Sequence, residues 1–311
     1  MINPLQQALA HYTDALRQHL ASSGADVVLL EFPEPSAVGG GRASWIRAYR
    51  NALKEARRIN GRTLVTWPPL GLLDLPWLGR GFREPVSIVL HDPKPLVRNV
   101  GHGRFAQSIA ARSRNVRLLV HSAAAESDAR AMMPSVSVVR LPHPIQHRSH
   151  TVAASEDVVR VLGQYKPTRA VKALVDIAAR LRGRFRFEIV GRGWPDVEGW
   201  TVRQEFVSED EFDRLISTSA AVVIPYERFY QSGVALRCLE LGVPFVGPQE
   251  SSLSELSASH NPGLASDDGD WVRAVVAATA MKRDDVISAR DEYARLTDTA
   301  YLRFLDGFGT R

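Results

Sequence analysis

The chain has 311 residues, 45 % of them apolar and 23 % charged, a globular composition at a length that predicts about two domains. No run of about 18 apolar residues occurs and Met1–Gln6 lacks the basic-then-apolar pattern of a signal peptide, so a cytoplasmic protein is expected. The single cysteine, Cys238, excludes an intramolecular disulfide, argues against a zinc site and reads as a packing residue.

The net charge of +5 divides unevenly. Residues 1–150 carry 19 Lys and Arg against 10 Asp and Glu, a net of +9, whereas residues 151–311 carry 20 against 24, a net of −4. The first half is either a solvated basic surface or the part that meets an anionic partner: a lipid diphosphate, the inner face of a membrane to which the protein would be peripheral, or an acidic polymer. Nucleic acid is not expected, because the basic residues are scattered along the chain rather than grouped with aromatics.

Residues 5–23 have a helical apolar pattern (Leu5, Ala8, Leu9, Tyr12, Leu16, Leu20), with Asn3 as its cap and Pro4 in its first turn. The apolar run 27–32 predicts a buried parallel strand. A Gly/Pro loop follows, ending in Gly39-Gly40-Gly41-Arg42; it lacks the spacing of a dinucleotide fingerprint and reads as a flexible acceptor-side loop. Ser44 caps a helix through Ile59, and 63–67 is the next strand. After a Pro/Gly/Leu-rich connection come strand 86–90, helix 103–112, strand 116–120, helix 123–133 and the short strand 136–141. This alternation predicts a doubly wound sheet.

His91 and Asp92 directly follow strand 86–90, at the carboxyl end where ligands sit in open α/β sheets. Asp92 would orient the imidazole or act itself as a base; the plainer alternative is a turn with an Asx cap. His121 follows its strand in the same way, and His143, in Leu141-Pro142-His143-Pro144, reads as part of the connection between domains. Both rank below His91.

A polar stretch, 147–157, marks the boundary. Strand 158–163 then ends at Gly163 and leads through Gln164-Tyr165-Lys166-Pro167-Thr168-Arg169 into helix 170–181. Strand 185–190 ends in the tight turn Gly191-Arg192-Gly193, where glycine lets backbone approach a ligand. Residues 201–207 precede a helix opened by the capping box Ser208-Glu209-Asp210-Glu211. The apolar run 220–225 is a strand, the loop Gln231-Ser232-Gly233 opens a short helix ending at Gly242, and 244–247 is a strand. Such a helix aims unsatisfied N–H groups and its positive dipole end at an anion. Glu240, on an otherwise mostly apolar helix, needs a partner, which an arginine would supply in an ordinary domain. Residues 251–270 read as a polar loop, and two or three amphipathic helices follow from Trp271.

These residues resemble the GT-B glycosyltransferases, especially the group 1 (family 4-like) superfamily. The unit from strand 220–225 to Gly242-Val243-Pro244 matches a family pattern of two glutamates separated by seven residues. The second glutamate, which holds the ribose of the sugar nucleotide, falls on Glu240; the first falls on Ser232, a departure. Lys166, after Gly163, matches the cation that holds the donor diphosphate, with Arg169 as helper, although Gln164 and Pro167 replace the usual Arg and Gly. Gly191 and Arg192 fall near the nucleotide, Gln204, Glu205 and Phe206 near its base, and His91 against the donor sugar.

The resemblance implies an α/β protein with two doubly wound, Rossmann-like domains facing each other across a cleft. Residues 1–148 would form the acceptor domain, its sheet lacking the fold's first strand; 149–290 the nucleotide-sugar domain; and 291–311 a helix crossing back to the first. The implied reaction moves a hexose from a nucleoside-diphosphate sugar to a hydroxyl of a glycan, lipid-linked or small-molecule acceptor, as in polysaccharide biosynthesis. It needs no cofactor and no metal. Lys166 would stabilise the diphosphate, Ser232, Gly233 and Val234 would contact phosphate or sugar, and His91 or Asp92 would face the reacting centre. Two other readings stay open: a non-catalytic subunit of the same fold, favoured by Ser232, Gln164 and the absent strand, and a nucleotide-sugar 2-epimerase.

Overall fold

The computed structural model describes residues 1–39, 41–59, 61–95, 101–146, 156–226, 229–256, 263–266 and 270–307. The chain divides into two compact units, Met1–Pro144 with Thr297–Arg311, and Ile145–Leu296. The boundary expected at 148 lies outside the described residues.

The first unit holds β1 (Ile2–Asn3), α1 (Ala10–Ser22), β2 (Leu30–Glu31), α2 (Pro35–Val38), α3 (Arg42–Ile59), β3 (Leu64–Val65), α4 (Leu75–Leu78), β4 (Val86–Val89), α5 (Arg104–Ala110), β5 (Val116–Val120), α6 (Ala123–Met132) and β6 (Ser137–Arg140). Its six strands are all parallel, in the order β2-β1-β3-β4-β5-β6.

The expectation that this sheet lacks its first strand is corrected. Ile2 and Asn3 form it, paired with Leu30 and Glu31 on one side and, through Ile2, with Val65 on the other. Two residues show no periodicity, which is why the strand escapes a pattern search. Asn3 is accordingly not a helix cap: its Oδ1 accepts from the Leu5 amide at 3.1 Å and from Thr66 Oγ1 at 3.2 Å, and α1 begins only at Ala10. Tyr12, Leu16 and Leu20 of α1 pack on Leu64, Val89 and Leu119 of the sheet, with Tyr301 completing the cluster.

The second unit holds β7 (Val158–Leu162), α7 (Val171–Arg180), β8 (Arg186–Val190), β9 (Thr201–Arg203), α8 (Glu209–Ser217), β10 (Ala221–Val223), α9 (Gly233–Glu240), β11 (Phe245–Pro248), β12 (Leu264–Ala265), α10 (Trp271–Thr279) and most of α11 (Arg283–Asp306), whose residues from Thr297 group with the first unit. Its parallel strands run β12-β11-β10-β7-β8-β9, the order of a Rossmann sheet, with the switch point between β7 and β10.

Both faces of this sheet are covered. Val159 and Val161 of β7 pack with Leu174 and Ile177 of α7 and Ala274 and Val275 of α10, while Leu162 turns to the layer of Leu236, Leu239, Val286 and Tyr293. Two covered faces explain why the strands read as continuous apolar runs rather than alternating ones. Arg160 interrupts β7; it is buried and satisfied by Glu188 at 2.7 Å, Glu156 at 3.1 Å and the Leu215 carbonyl at 3.0 Å. Two expectations are corrected here. The stretch 251–270 contains β12, and the last helix begins at Arg283 rather than at 291.

Candidate functional site

In the second unit the predicted donor residues Gly163, Lys166, Arg169, Gly191 and Arg192 lie at the carboxyl ends of β7 and β8. The chain leaves β7 through Gly163, whose φ of +101° an L side chain rarely adopts. Gly191, leaving β8, lies against it, and a Cβ on Gly191 would stand 2.6 Å from the Gly163 carbonyl carbon. The Trp194 indole donates to the Gly163 carbonyl at 2.8 Å, and the Tyr165 amide to the Arg192 carbonyl at 2.9 Å. The two loops are thus joined backbone to backbone.

A second junction spans the switch point. The Ala170 amide donates to the Pro225 carbonyl at 2.7 Å, and Arg169 and Tyr226 form an isolated antiparallel bridge. The Arg169 guanidinium lies 3.7 Å from the Tyr226 ring centroid and 5.2 Å from that of Trp194, and donates through Nη2 to the Gln164 carbonyl at 2.8 Å. Arg169 is 5 % exposed, and its Nε has no hydrogen-bond partner. Burial lowers its pKa from the ordinary arginine value, yet guanidinium stays charged in proteins. A buried cation with an open N–H favours an acceptor beside it, and an anion most of all. Lys166, in the same turn, is exposed.

The N-terminus of α9 follows β10 in sequence. Ser232 is its cap, accepting the Ala235 amide on Oγ at 3.2 Å, so its hydroxyl lone pair already serves the helix. Gly233 and Val234 form the first turn. Glu240 stands at the far end, about 10 Å along the helix axis. It is wholly buried, and its Oε1 accepts the Gln146 main-chain amide at 2.8 Å. Arg237 pairs with Asp213 and Glu209. Cys238 is buried, and burial with the nearby Glu240 raises its thiol pKa, as expected of a packing residue. Gln204 accepts the Gly193 amide at 2.9 Å and donates to the Trp194 carbonyl, Glu205 pairs with Arg203, and the Arg192 guanidinium covers the exposed Phe206 ring.

In the first unit Arg42, His91 and Asp92 line one cavity of about 340 Å³, together with Trp45, Trp67 and His102. Trp45 donates its indole N–H to the Pro4 carbonyl at 2.7 Å, which leaves only apolar surface for the cavity. The Nε2 of His91 lies 3.0 Å from the Thr66 carbonyl, and donation to it places the ring's lone pair on Nδ1. Asp92 is exposed. In the triple glycine, Gly39 is a left-handed cap of α2, Gly41 precedes α3, and Gly40 lies outside the described residues.

His121 and His143 prove to be neighbours of His91. Tyr12 contacts all three imidazoles, at centroid distances of 4.8 Å to His91, 5.5 Å to His121 and 5.1 Å to His143. Its hydroxyl bonds His121 Nε2 at 2.8 Å, while His121 Nδ1 meets the Leu141 carbonyl at 3.1 Å. Burial pushes the His121 pKa down to about 3, and burial with its histidine neighbours holds His143 well below the ordinary value. His143 lies one residue before the division between the two units, where the sequence placed the connection, and its ring is also buried in the first unit's cluster. Among the described residues no group of three His, Cys, Asp or Glu is arranged to hold a metal ion, and no helix is long and apolar enough to cross a membrane.

Tyr12, Trp45, Trp67, His102, Trp194 and Tyr226 were not singled out from the sequence as site residues. Only the position of Trp67 and Tyr226 near strand ends hinted at them.

No protein-family model and no curated protein matches the chain. Solved structures do. AviGT4, a glycosyltransferase involved in avilamycin A biosynthesis, is 15 % identical with a TM-score of 0.61, covering 98 % of this chain and 97 % of that one. The UDP-forming α,α-trehalose-phosphate synthase of Burkholderia xenovorans is 11 % identical with a TM-score of 0.58, covering 85 % and 78 %. TarM of S. aureus, solved with fondaparinux, α-GlcNAc-glycerol and UDP, is 11 % identical with a TM-score of 0.55, covering 73 % of this chain and 51 % of that one, so the chain spans about half of TarM. Architecture is what such identities carry. The chain has the GT-B fold, and the proteins whose structures it resembles are GT-B glycosyltransferases.

Proposed function

We propose that this protein is a glycosyltransferase that moves a hexose from a nucleoside-diphosphate sugar, bound on the second unit, to a hydroxyl of an acceptor bound on the first. The observation that carries the reading is Arg169, a buried guanidinium with an open Nε at the switch point of a Rossmann-ordered sheet. A nucleoside diphosphate gains negative charge as the glycosidic bond breaks. Fixed cations and a helix N-terminus stabilise that charge, here Arg169, Lys166 and the Gly233-Val234 turn, with no metal required. UDP is the first nucleotide to try, since TarM was solved with UDP and the synthase is UDP-forming.

The cavity of the first unit suits the acceptor. Its volume is on the scale of a small-molecule site, and Trp45, Trp67, Pro68 and Pro69 offer apolar faces to a ring, while His91 and Asp92 line it with groups of the kind that accept a hydroxyl proton. Peripheral contact of the basic first unit with the cytoplasmic face of an anionic membrane belongs to the same reading.

Thermal unfolding with UDP, GDP, dTDP or ADP tests the donor site. A ligand at about 100 times its dissociation constant adds roughly 2.7 kcal/mol, and the shift should disappear in Lys166→Ala, an exposed change that leaves the core intact. No shift with any nucleotide would overturn the proposal.

A second reading, a non-catalytic subunit of the same fold, is favoured by the sealed Glu240 carboxylate and the engaged Ser232 hydroxyl. Nucleotide binding without turnover of any sugar nucleotide, with or without acceptor, would select it.

A further inference from the structure

Two arginines far apart in the sequence, Arg57 and Arg80, meet at the connection after α4, beside the exposed ring of Trp77. The connection after α4 folds so that the Arg80 guanidinium lies over the Trp77 ring at 4.7 Å and Arg57, from the end of α3, lies over Phe82 at 4.9 Å. Arg57 also donates through Nε to the Arg80 carbonyl at 3.1 Å. Asn115, held at a φ of +58°, donates its amide to the carbonyls of Gly79 at 3.2 Å and Phe82 at 2.8 Å, which fixes the connection against the start of β5. Gly79 abuts the Arg114 backbone so closely that a Cβ would overlap it. α4 packs on α5, which carries Phe105.

Trp77 is 65 % exposed and Phe105 77 %. Between Leu75 and Arg117 the sequence has eight Lys and Arg and only two acids, Glu84 and Asp92. Large aromatics in water cost free energy unless another phase covers them. Amphipathic rings flanked by guanidinium groups suit the headgroup level of a bilayer, and the charge suits anionic lipid.

We propose that Trp77, Phe105, Arg57, Arg80, Arg83 and Arg114 form the surface by which this protein docks on an anionic membrane. The assignment rests on the membrane contact proposed above and names the residues that make it. A lipid surface fits better than single-stranded nucleic acid, because the Arg80 and Arg57 guanidinium groups already cover a face of the Trp77 and Phe82 rings on which bases would stack. The surface is also preformed, since Asn115 pins it, so docking needs no ordering of a loop.

Co-sedimentation with phosphatidylcholine vesicles, with and without phosphatidylglycerol, tests the surface on the full chain. Binding should require phosphatidylglycerol and weaken with added salt. Arg80→Glu and Arg57→Glu should each weaken it by at least about fivefold, the effect of one cation near such a surface, and Trp77→Ser combined with Phe105→Ser should weaken it further, with unchanged circular dichroism and an unchanged thermal response to nucleotide. No binding to either vesicle would overturn the membrane contact itself. Binding that survives all four substitutions would overturn this surface while leaving the contact standing elsewhere. Retention by single-stranded RNA but not by vesicles would overturn the proposal in favour of a nucleic-acid partner.

Discussion

Gly191 and Gly163 meet backbone to backbone, so closely that a methyl group on Gly191 would overlap the Gly163 carbonyl. The contact joins the loops that leave β7 and β8, and Arg169 hangs from the same turn through the Gln164 carbonyl. The geometry of the proposed donor site therefore depends on a residue that has no side chain.

Gly191→Ala should destabilise the second unit by roughly 1–3 kcal/mol, the usual cost of overpacking, and should weaken nucleotide binding by pushing Gly163 aside. Urea unfolding and nucleotide calorimetry read the two effects. Full stability with full affinity would mean that the loops part without consequence.

Arg169→Met keeps an unbranched apolar stem against Tyr226 and Trp194 while removing the charge. Nucleoside-diphosphate affinity should fall by about 1.5–3 kcal/mol, the worth of a charge-assisted hydrogen bond, whereas affinity for the uncharged nucleoside should not change. Equal losses for both ligands in calorimetry would show that Arg169 only shapes the pocket.

Tyr12→Phe leaves His121 Nε2 buried without its hydroxyl partner, at a cost of about 1–3 kcal/mol in unfolding free energy. The neutral state of His121 also sets a pH dependence. Its folded pKa, about 3, lies below the unfolded value of 6.5, so the unfolded chain takes up the proton first. Stability is complete above pH 6.5 and declines as pH falls toward 3, by about 2 kcal/mol at pH 5. In His121→Gln the decline between pH 6.5 and 5 should shrink by that amount; an unaltered slope in urea titrations would assign it to other groups.

Asp74 acts in the opposite sense. Burial raises its pKa from 3.8 to about 6, although the Leu70 amide donates to it at 2.7 Å. The folded state holds the proton that the unfolded state has released, so stability falls as pH rises through 3.8 to 6, by about 3 kcal/mol in all. A carboxamide in its place would still accept the Leu70 amide without ionising. Asp74→Asn should therefore raise the urea midpoint at pH 7.5 and leave it nearly unchanged at pH 4; an equal gain at both values would refute the assignment.

Elements with a repeating physical signal were legible in the residues alone. Runs such as 86–90, 116–120 and 158–162 read as buried strands because both faces of a doubly wound sheet are covered, and Ser208 and Glu211 announce the start of α8 through local capping chemistry. Placing His91 and Gly163 at strand ends needed nothing more, and the match of the 220–244 unit to GT-B proteins pointed to the fold. The tertiary structure decided everything that depends on two distant segments meeting. β1 exists because Ile2 and Asn3 find edges in β2 and β3, although two residues carry no pattern of their own. Tyr12 joins three histidines that lie 79, 109 and 131 positions away in the chain, and Arg169 becomes an open, buried cation only when the loop after β10 closes over it. Periodicity and capping are properties of neighbouring residues, whereas a site's burial and open donors are set by whichever loops the sheet order brings side by side.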